Sequence, residues 1–268
     1  YHESKDNIYR VVRIDNSEYK SSATYPLIDA VRSDFPDLEH VTITDTNEGD
    51  PVFGIPQSDG TMERFKEKPV AFVDPEFFKM FDYVWLEGDA DALVREKTVV
   101  LNKTLAYKYF GEESALGKVI SYNNKYDLTV SGVVEDAPLN TELPFHAFIS
   151  YRLGADKHGW DDWDSSSSSI NCFVQLKEGA NKEDLEAKMR GWHLKYFTEN
   201  LRPEGEARTY FLQALTDIHF DDRFSSYNGR TISKTTIWSL ALIGSLLLLT
   251  ACINFINLNT VLIFNRAK

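Results

Sequence analysis

Two parts of the chain repeat the same order of hydrophobic patterns. Apolar residues at strand spacing occupy residues 8–14, 41–44, 170–176 and 210–218. After the first and the third of these runs, apolar residues recur at helical spacing behind Thr24 and Asn181, two residue types that cap helices well. The later helical stripe consists of Leu185, Met189, Trp192 and Tyr196. The pattern predicts two βαβ-like units, one near each end of the chain.

The stretch between the two units predicts a mostly β insertion. Strands are expected at 70–73, 98–101, 119–122 and 128–134, the last two antiparallel around Asn123-Asn124. Helices are expected behind Asp74 and Asn102 as caps, and the second should end at Gly111. Residues 47–69 are polar and rich in Gly, Pro and Asp, which favours a hairpin or an irregular lobe. The five serines at 165–169 indicate a flexible linker.

The end of the chain is a long, predominantly apolar run without a charged side chain. Residues 235–265 contain no Asp, Glu, Lys or Arg, and 28 helical residues at 237–264 reach about 42 Å, enough to cross a bilayer. The predicted fold is therefore α+β. Residues 1–73 and 170–222 form one split βαβ subdomain, residues 74–169 are inserted in it, and residues 232–265 form a single transmembrane helix.

The flanks of this helix suggest its orientation and two functional regions. Arg266 and Lys268 follow the helix, so its C-terminus is expected in the cytoplasm and the large domain outside the inner membrane. Gly244, Ala251 and Asn254 share one helix face and are expected to pack against another membrane helix. Residues 221–234, here called the joint, connect the domain to the helix. The joint is expected to be stiff if it transmits motion, with Ser226, Thr231 and Ser233 as candidate coupling residues. Thr231 or Ser233 should cap the helix.

Charge and cysteine content exclude some functions. The 268 residues carry a net charge of −12, which argues against nucleic acid as a partner. The two cysteines, Cys172 and Cys252, fall in a strand and in the membrane segment, so a disulfide between them is not expected. Cys172 should be buried and reduced.

Candidate chemical motifs are weak. The spacing Gly111-x5-Gly117-Lys118-Val119 misses a P-loop by one residue and lacks its Ser or Thr. Asp161, Asp162 and Asp164 form an acidic cluster that is best interpreted as a solvated loop, with contact to a partner as the alternative. The six histidines are scattered. No catalytic residue, metal site or cofactor is therefore predicted.

The order of short motifs resembles the MacB-like periplasmic core domain of FtsX-like ABC transporter permeases. The motifs are IYRV (8–11), DPEFFKMF (74–81), LEGD (86–89), VVLN (99–102), FG (110–111), ALGK (115–118), VSGVVEDAP (130–138), LTDIHF (215–220), ACINFIN (251–257) and RAK (266–268). The resemblance implies a periplasmic domain placed between the first two transmembrane helices of a permease. It also implies that the split βαβ subdomain is porter-like.

Further expectations follow from the same resemblance. A separate or fused ABC ATPase drives such permeases, which commonly work as a pair of copies, so this chain would not itself be an enzyme. The implied function is coupling of ATPase-driven change to export of a drug, peptide or lipid-linked cargo, with a periplasmic adaptor protein as a further partner. The alternative is an FtsX-like signalling module that regulates a cell-wall hydrolase or another periplasmic partner. No residue identifies the cargo.

Overall fold

The computed structural model describes residues 5–46, 49–138, 141–154, 163, 166–196, 208–227 and 231–266. Within these residues, 13 strands form one mixed sheet, and 11 of them follow the order β13-β1-β12-β3-β6-β11-β8-β10-β9-β4-β5. The strands are β1 (Ile8–Asp15), β2 (Glu18–Lys20), β3 (Leu38–Asp45), β4 (Val52–Pro56), β5 (Met62–Lys66), β6 (Val70–Val73), β7 (Trp85–Glu87), β8 (Thr98–Asn102), β9 (Val119–Tyr122), β10 (Tyr126–Val134), β11 (Ala147–Ser150), β12 (Ile170–Leu176) and β13 (Arg208–Ala214). The helices are α1 (Tyr25–Asp34), α2 (Phe77–Met80), α3 (Lys103–Phe110), α4 (Lys182–Met189) and α5 (Lys234–Arg266).

The two ends of the chain build one half of the sheet. β12 lies between β1 and β3 and is antiparallel to both, while β1 lies between β12 and β13 and is antiparallel to both. Each strand–helix–strand unit therefore joins parallel strands that are separated by a strand of the other unit. This arrangement confirms the predicted split βαβ fold, and α1 and α4 cover one face of it over a shared hydrophobic core.

The middle of the chain extends the same sheet. β6 is antiparallel to β3, and the sheet continues through β11, β8, β10 and β9. The β4–β5 hairpin, which the sequence grouping places with residues 1–73, pairs with β9 at the far edge. The subdomain boundaries 1–73 with 170–222, and 74–169, stay a prediction.

Local capping signals gave both right and wrong predictions. Asn102 accepts the Leu105 amide at 2.9 Å and Gly111 ends α3 at φ 61°, while Asn181 accepts the amides of Glu183 and Asp184. Asp74 does not cap α2, because its carboxylate is buried against Arg32 and the hydroxyl of Thr42. Thr24 precedes α1, but its side chain makes no capping bond.

Two further predictions need correction. α4 ends at Met189 because the backbone of Arg190 is extended at ψ 118°. Gly191 at φ 67° then precedes a separate 3-10 helix that holds Trp192, although this side chain still packs against the same core. The described part of the serine tract, residues 166–169, is held by hydrogen bonds and is not a flexible linker. Ser166 accepts a hydrogen bond from Arg13 at 2.8 Å, Ser167 bridges to Ala23, and the carbonyl of Ser169 accepts the Thr46 amide. Ser165 and the acidic cluster of Asp161, Asp162 and Asp164 lie outside the described residues.

The last helix projects from this domain. α5 has 33 residues, and its part Lys234–Thr260 has a mean hydropathy of 2.2 with none of the most apolar window buried. Length and composition alone make it long and apolar enough to cross a membrane.

Candidate functional site at the joint

The sheet face opposite α1 and α4 carries buried polar residues beside the apolar cluster that includes Ile8 and Phe173. Side chains alternate across a strand, so Arg10 of β1 points away from the helix-covered core that holds Val11. Arg10 is only 2% exposed. Its Nε and Nη2 donate to Oε1 of Gln213 at 3.0 and 2.6 Å, and its Nη1 donates to Oδ1 of Asn171 at 3.2 Å. One guanidinium thus ties together β1, β13 and β12.

The same guanidinium holds the joint. Nη1 of Arg10 also donates to the backbone carbonyl of Ser225 at 2.8 Å. The hydroxyls of Ser225 and Ser21 lie 2.9 Å apart, which adds a second attachment to the sheet. The hydroxyl of Tyr227 hydrogen-bonds with that of Thr44 on β3. The first half of the joint is therefore bonded to the sheet.

An aromatic side chain fixes the joint by packing. Phe224 is 3% exposed, and its ring meets Tyr19 at 5.5 Å and Phe211 at 5.8 Å between centroids. The ring of Tyr227 packs edge-on against Phe145 at 5.2 Å, in the segment before β11. The joint consequently contacts the sheet and the segment that leads into β11.

The second half of the joint is tied to the segment that follows β13. The Ile232 amide donates to the His219 carbonyl at 3.1 Å, and Lys234 pairs with Asp217 at 2.8 Å. His219 in turn lies 2.9 Å from Glu142 in the segment before β11. The start of α5 is thus connected to the segment after β13 and, through His219, to the segment before β11.

The predicted cap of α5 is present at one of the two proposed positions. Oγ of Ser233 accepts the Thr236 amide at 3.2 Å, and the Ser233 carbonyl accepts the Ile237 amide at 3.2 Å. Thr231 is half-buried two residues earlier. Ser226 is also half-buried, and its Oγ has no hydrogen-bond partner in the described part of the chain. The Ser233 cap is therefore observed, while the role of Ser226, Thr231 and Ser233 in coupling stays a prediction.

The proposed packing face of α5 is not covered by any of the described residues. Gly244, Ala251 and Asn254 are exposed, and a Cβ at Gly244 would meet nothing within 4 Å. Their role in helix packing stays a prediction.

The near-miss P-loop has the wrong surroundings for a nucleotide. A P-loop runs from a strand into a helix, so that amides at the helix start face the phosphate. Here Gly111 ends α3, and Gly117 and Lys118 lead into β9, with Lys118 paired to Glu113 at 2.5 Å. Among the described residues, no group of three His, Cys, Asp or Glu side chains is placed to hold a metal ion.

Sequence reasoning missed the Arg10 network. Its only signal was a pair of arginines, Arg10 and Arg13, inside an otherwise apolar strand, and a buried charge there requires partners. Those partners lie 161 to 215 positions away in the sequence, so spacing could not identify them.

Comparison with solved structures shows which known domains share this fold. The chain resembles a domain of a protein described as a permease from Porphyromonas gingivalis, with 18% identity and a TM-score of 0.64 over 89% of this chain and 98% of that one. It also resembles the periplasmic region of MacB from Actinobacillus actinomycetemcomitans, with 14% identity and a TM-score of 0.54 over 79% of this chain and 90% of that one. A further similar structure is the extracellular domain of the noncanonic ABC-type transporter YknZ from Gram-positive bacteria, with 14% identity and a TM-score of 0.50 over 77% of this chain and 100% of that one. No match was found among curated protein sequences.

The family assignment rests on the sequence profile. The profile of the MacB-like periplasmic core domain matches residues 1–191, which is more than half of the chain. The porter-like fold, the periplasmic position of the domain and the apolar helix as an inner-membrane anchor agree with this match. The chain belongs to the family of MacB-like periplasmic core domains and is a periplasmic domain of an ABC transporter permease.

Proposed function

We propose that this domain couples ATPase-driven conformational change in the membrane part of the permease to export of a drug, peptide or lipid-linked cargo. Family membership implies an ABC ATPase partner and a second permease copy, and a component that is not itself catalytic. A periplasmic adaptor protein is a further partner in this proposal. The comparisons do not favour the alternative of a signalling module.

The observation that supports coupling is the attachment of the joint at several points. Displacement of α5 can reach the sheet only if the connecting segment does not absorb it. Arg10 holds the Ser225 carbonyl, Phe224 is buried, and the Ile232 amide bonds to the His219 carbonyl. These contacts lie in both halves of the joint, so a movement of the helix start would shift the sheet with it.

The face of α5 that carries Gly244, Ala251 and Asn254 would connect this helix to the rest of the membrane part. Small residues allow close approach of helices, and an Asn in hydrocarbon gains from a hydrogen bond to a neighbour. In this proposal the neighbouring helices move with the ATPase, α5 moves with them, and the joint passes the movement to the domain.

The test is a flexible insert in the full-length permease with its ATPase. A Gly-Ser insert of about six residues adds a random-coil reach of roughly 12 to 15 Å. Placed after Ser226, it should abolish transport in vesicles while ATP hydrolysis continues. Full transport with this insert would contradict the proposal and leave the domain as a passive docking surface.

The matched control is the same insert after Gly60. This residue lies in the exposed β4–β5 turn at φ 85°, and a Cβ there would meet nothing within 4 Å. Transport should survive this insert. The Ser165–Ser169 tract is a poorer control site, because its described serines are hydrogen-bonded to the sheet.

A further inference from the structure

Arg10 is a buried cation whose charge is poorly balanced. Its four hydrogen bonds go to neutral acceptors, namely the side chains of Gln213 and Asn171 and the Ser225 carbonyl. In the described part of the chain, none of the carboxylates forms an ion pair with it. The Gln213 amide reaches Asp221 at 3.3 Å, but Arg223 already pairs with that carboxylate through two bonds of 2.8 Å. A buried charge of this kind requires a partner of opposite sign.

The guanidinium also keeps an unused donor. Arginine has five N–H groups in a planar fork. One Nε–H, both Nη1–H groups and one Nη2–H are used in the four bonds, so a second Nη2–H is left over. Burial lowers the pKa of Arg10 to about 10, which still leaves the side chain charged at neutral pH.

A small cavity of about 250 Å³ lies beside this group. Apart from Arg10 and Asn171, every residue that lines it carries a hydroxyl: Thr46, Ser168, Ser169, Ser225, Ser226 and Tyr227. Oγ of Ser226 is buried and has no hydrogen-bond partner among the described residues. A buried hydroxyl without a partner is costly, so this Oγ is available to bind a group that enters the cavity.

We propose that this cavity is a binding site for a phosphate-class oxyanion, held by the free Nη2–H of Arg10 and the hydroxyl of Ser226. At about 30 Å³ for each water molecule, the cavity has room for one tetrahedral anion with some of its hydration. Guanidinium and hydroxyl donors approach from β1, from the serine tract and from the joint. Donors on several walls suit a tetrahedral anion better than a planar carboxylate.

The position of the site gives the anion a structural effect. It would connect β1 and the serine tract to Ser226, eight residues before the start of α5. A bound anion would therefore hold the joint on the sheet. The anion can be free phosphate or the phosphate of a lipid headgroup, because the joint leads into the membrane helix.

Binding can be measured on the full chain in uncharged detergent, with inorganic phosphate titrated by calorimetry at constant ionic strength. Wild-type protein should bind phosphate. Ser226→Ala should weaken binding about tenfold, the usual loss for one hydrogen bond to a charged group. Arg10→Gln should remove binding, and Arg10→Lys should give an intermediate loss because it keeps the charge without the fork.

The matched control is Arg64→Gln. It removes the same charge from an exposed side chain on β5, at the opposite edge of the sheet and outside the cavity, and should leave phosphate affinity unchanged. A melting curve checks that each variant is folded, and Ser226→Ala carries the test if Arg10→Gln unfolds. No phosphate binding by folded wild-type protein would overturn the proposal. Equal affinity of wild type and Ser226→Ala would overturn it as well.

A second arm identifies the source of the anion. The same titration is repeated in nanodiscs of phosphatidylcholine, with or without phosphatidic acid. If phosphatidic acid weakens the phosphate isotherm, the lipid headgroup competes for the site. If the isotherm does not change, the site takes the free anion. Because this measurement needs no ATPase and no cargo, it is independent of whether the domain couples transport.

Discussion

Phe224→Ala should release the joint from the sheet. Phe224 is 3% exposed, and its ring packs against Tyr19 and Phe211, with the guanidinium of Arg223 5.7 Å from its centre. Replacement of a buried Phe by Ala costs about 3 to 5 kcal/mol. Since the ring lies between the joint and the sheet edge, we assume the lower end of this range, about 3 kcal/mol, and assign it to local detachment of the joint from the sheet. At 1.4 kcal/mol for each factor of ten, the open joint becomes more populated by about a hundredfold.

Hydrogen exchange and limited trypsin digestion both report this opening. Exchange of the amides of residues 221–227, and cleavage after Arg223, should become about a hundred times faster, since both follow the population of the open state. Tyr107→Ala is the control, because this aromatic residue on α3 is 61% exposed and its removal should change neither rate. Equal rates for Phe224→Ala and wild type would refute the conclusion that Phe224 holds the joint.

Three other predictions concern the domain. Burial raises the pKa of the Cys172 thiol to about 12, so in a Cys252→Ala background maleimide should label the protein only as fast as it unfolds, and rapid native labelling would contradict this. Burial also raises the pKa of Asp74 despite its bonds to Thr42 and Arg32. The folded state therefore holds this proton more tightly than the unfolded state, and stability falls as pH rises from about 4 through the folded pKa. Asp74→Asn should flatten that part of the curve in urea titrations, and an unchanged curve would argue against it. Finally, residues 1–230 should keep their near-UV circular dichroism without α5, because none of its apolar window is buried in the domain, and loss of that signal would show that the helix is needed for folding.

The parts of the fold that depend on local chemistry could be predicted from the sequence. Asn102 and Gly111 bound α3 as expected, because a side-chain cap and a glycine at positive φ act within four residues. The repeat of strand, helix and strand patterns likewise predicted the split βαβ units. The position of the β4–β5 hairpin could not be predicted, since its pairing with β9 joins segments far apart in the chain.

For the joint as well, only features that depend on neighbouring residues could be predicted from the sequence. Ser233 could be identified as a cap from its position before the apolar run, and the structure has this cap. The attachment of the joint to Arg10 could not be identified, because β1 and the joint lie at opposite ends of the chain. Asp74 was assigned to a helix start for a local reason, but its tertiary partners Thr42 and Arg32 determine where its carboxylate points.

The most direct test of the central claim is a pair of spin-label distances in the full-length permease with its ATPase. In a Cys252→Ala background, labels at Tyr107 and Ser239 report the distance between the domain and the start of α5, since both positions are exposed. A single label at Tyr107 reports the distance between the two copies. If the joint transmits motion, the distance between copies changes with ATP binding, while the distance distribution within one copy keeps its mean and its width. A distance within one copy that broadens or shifts, with the distance between copies constant, would contradict the account.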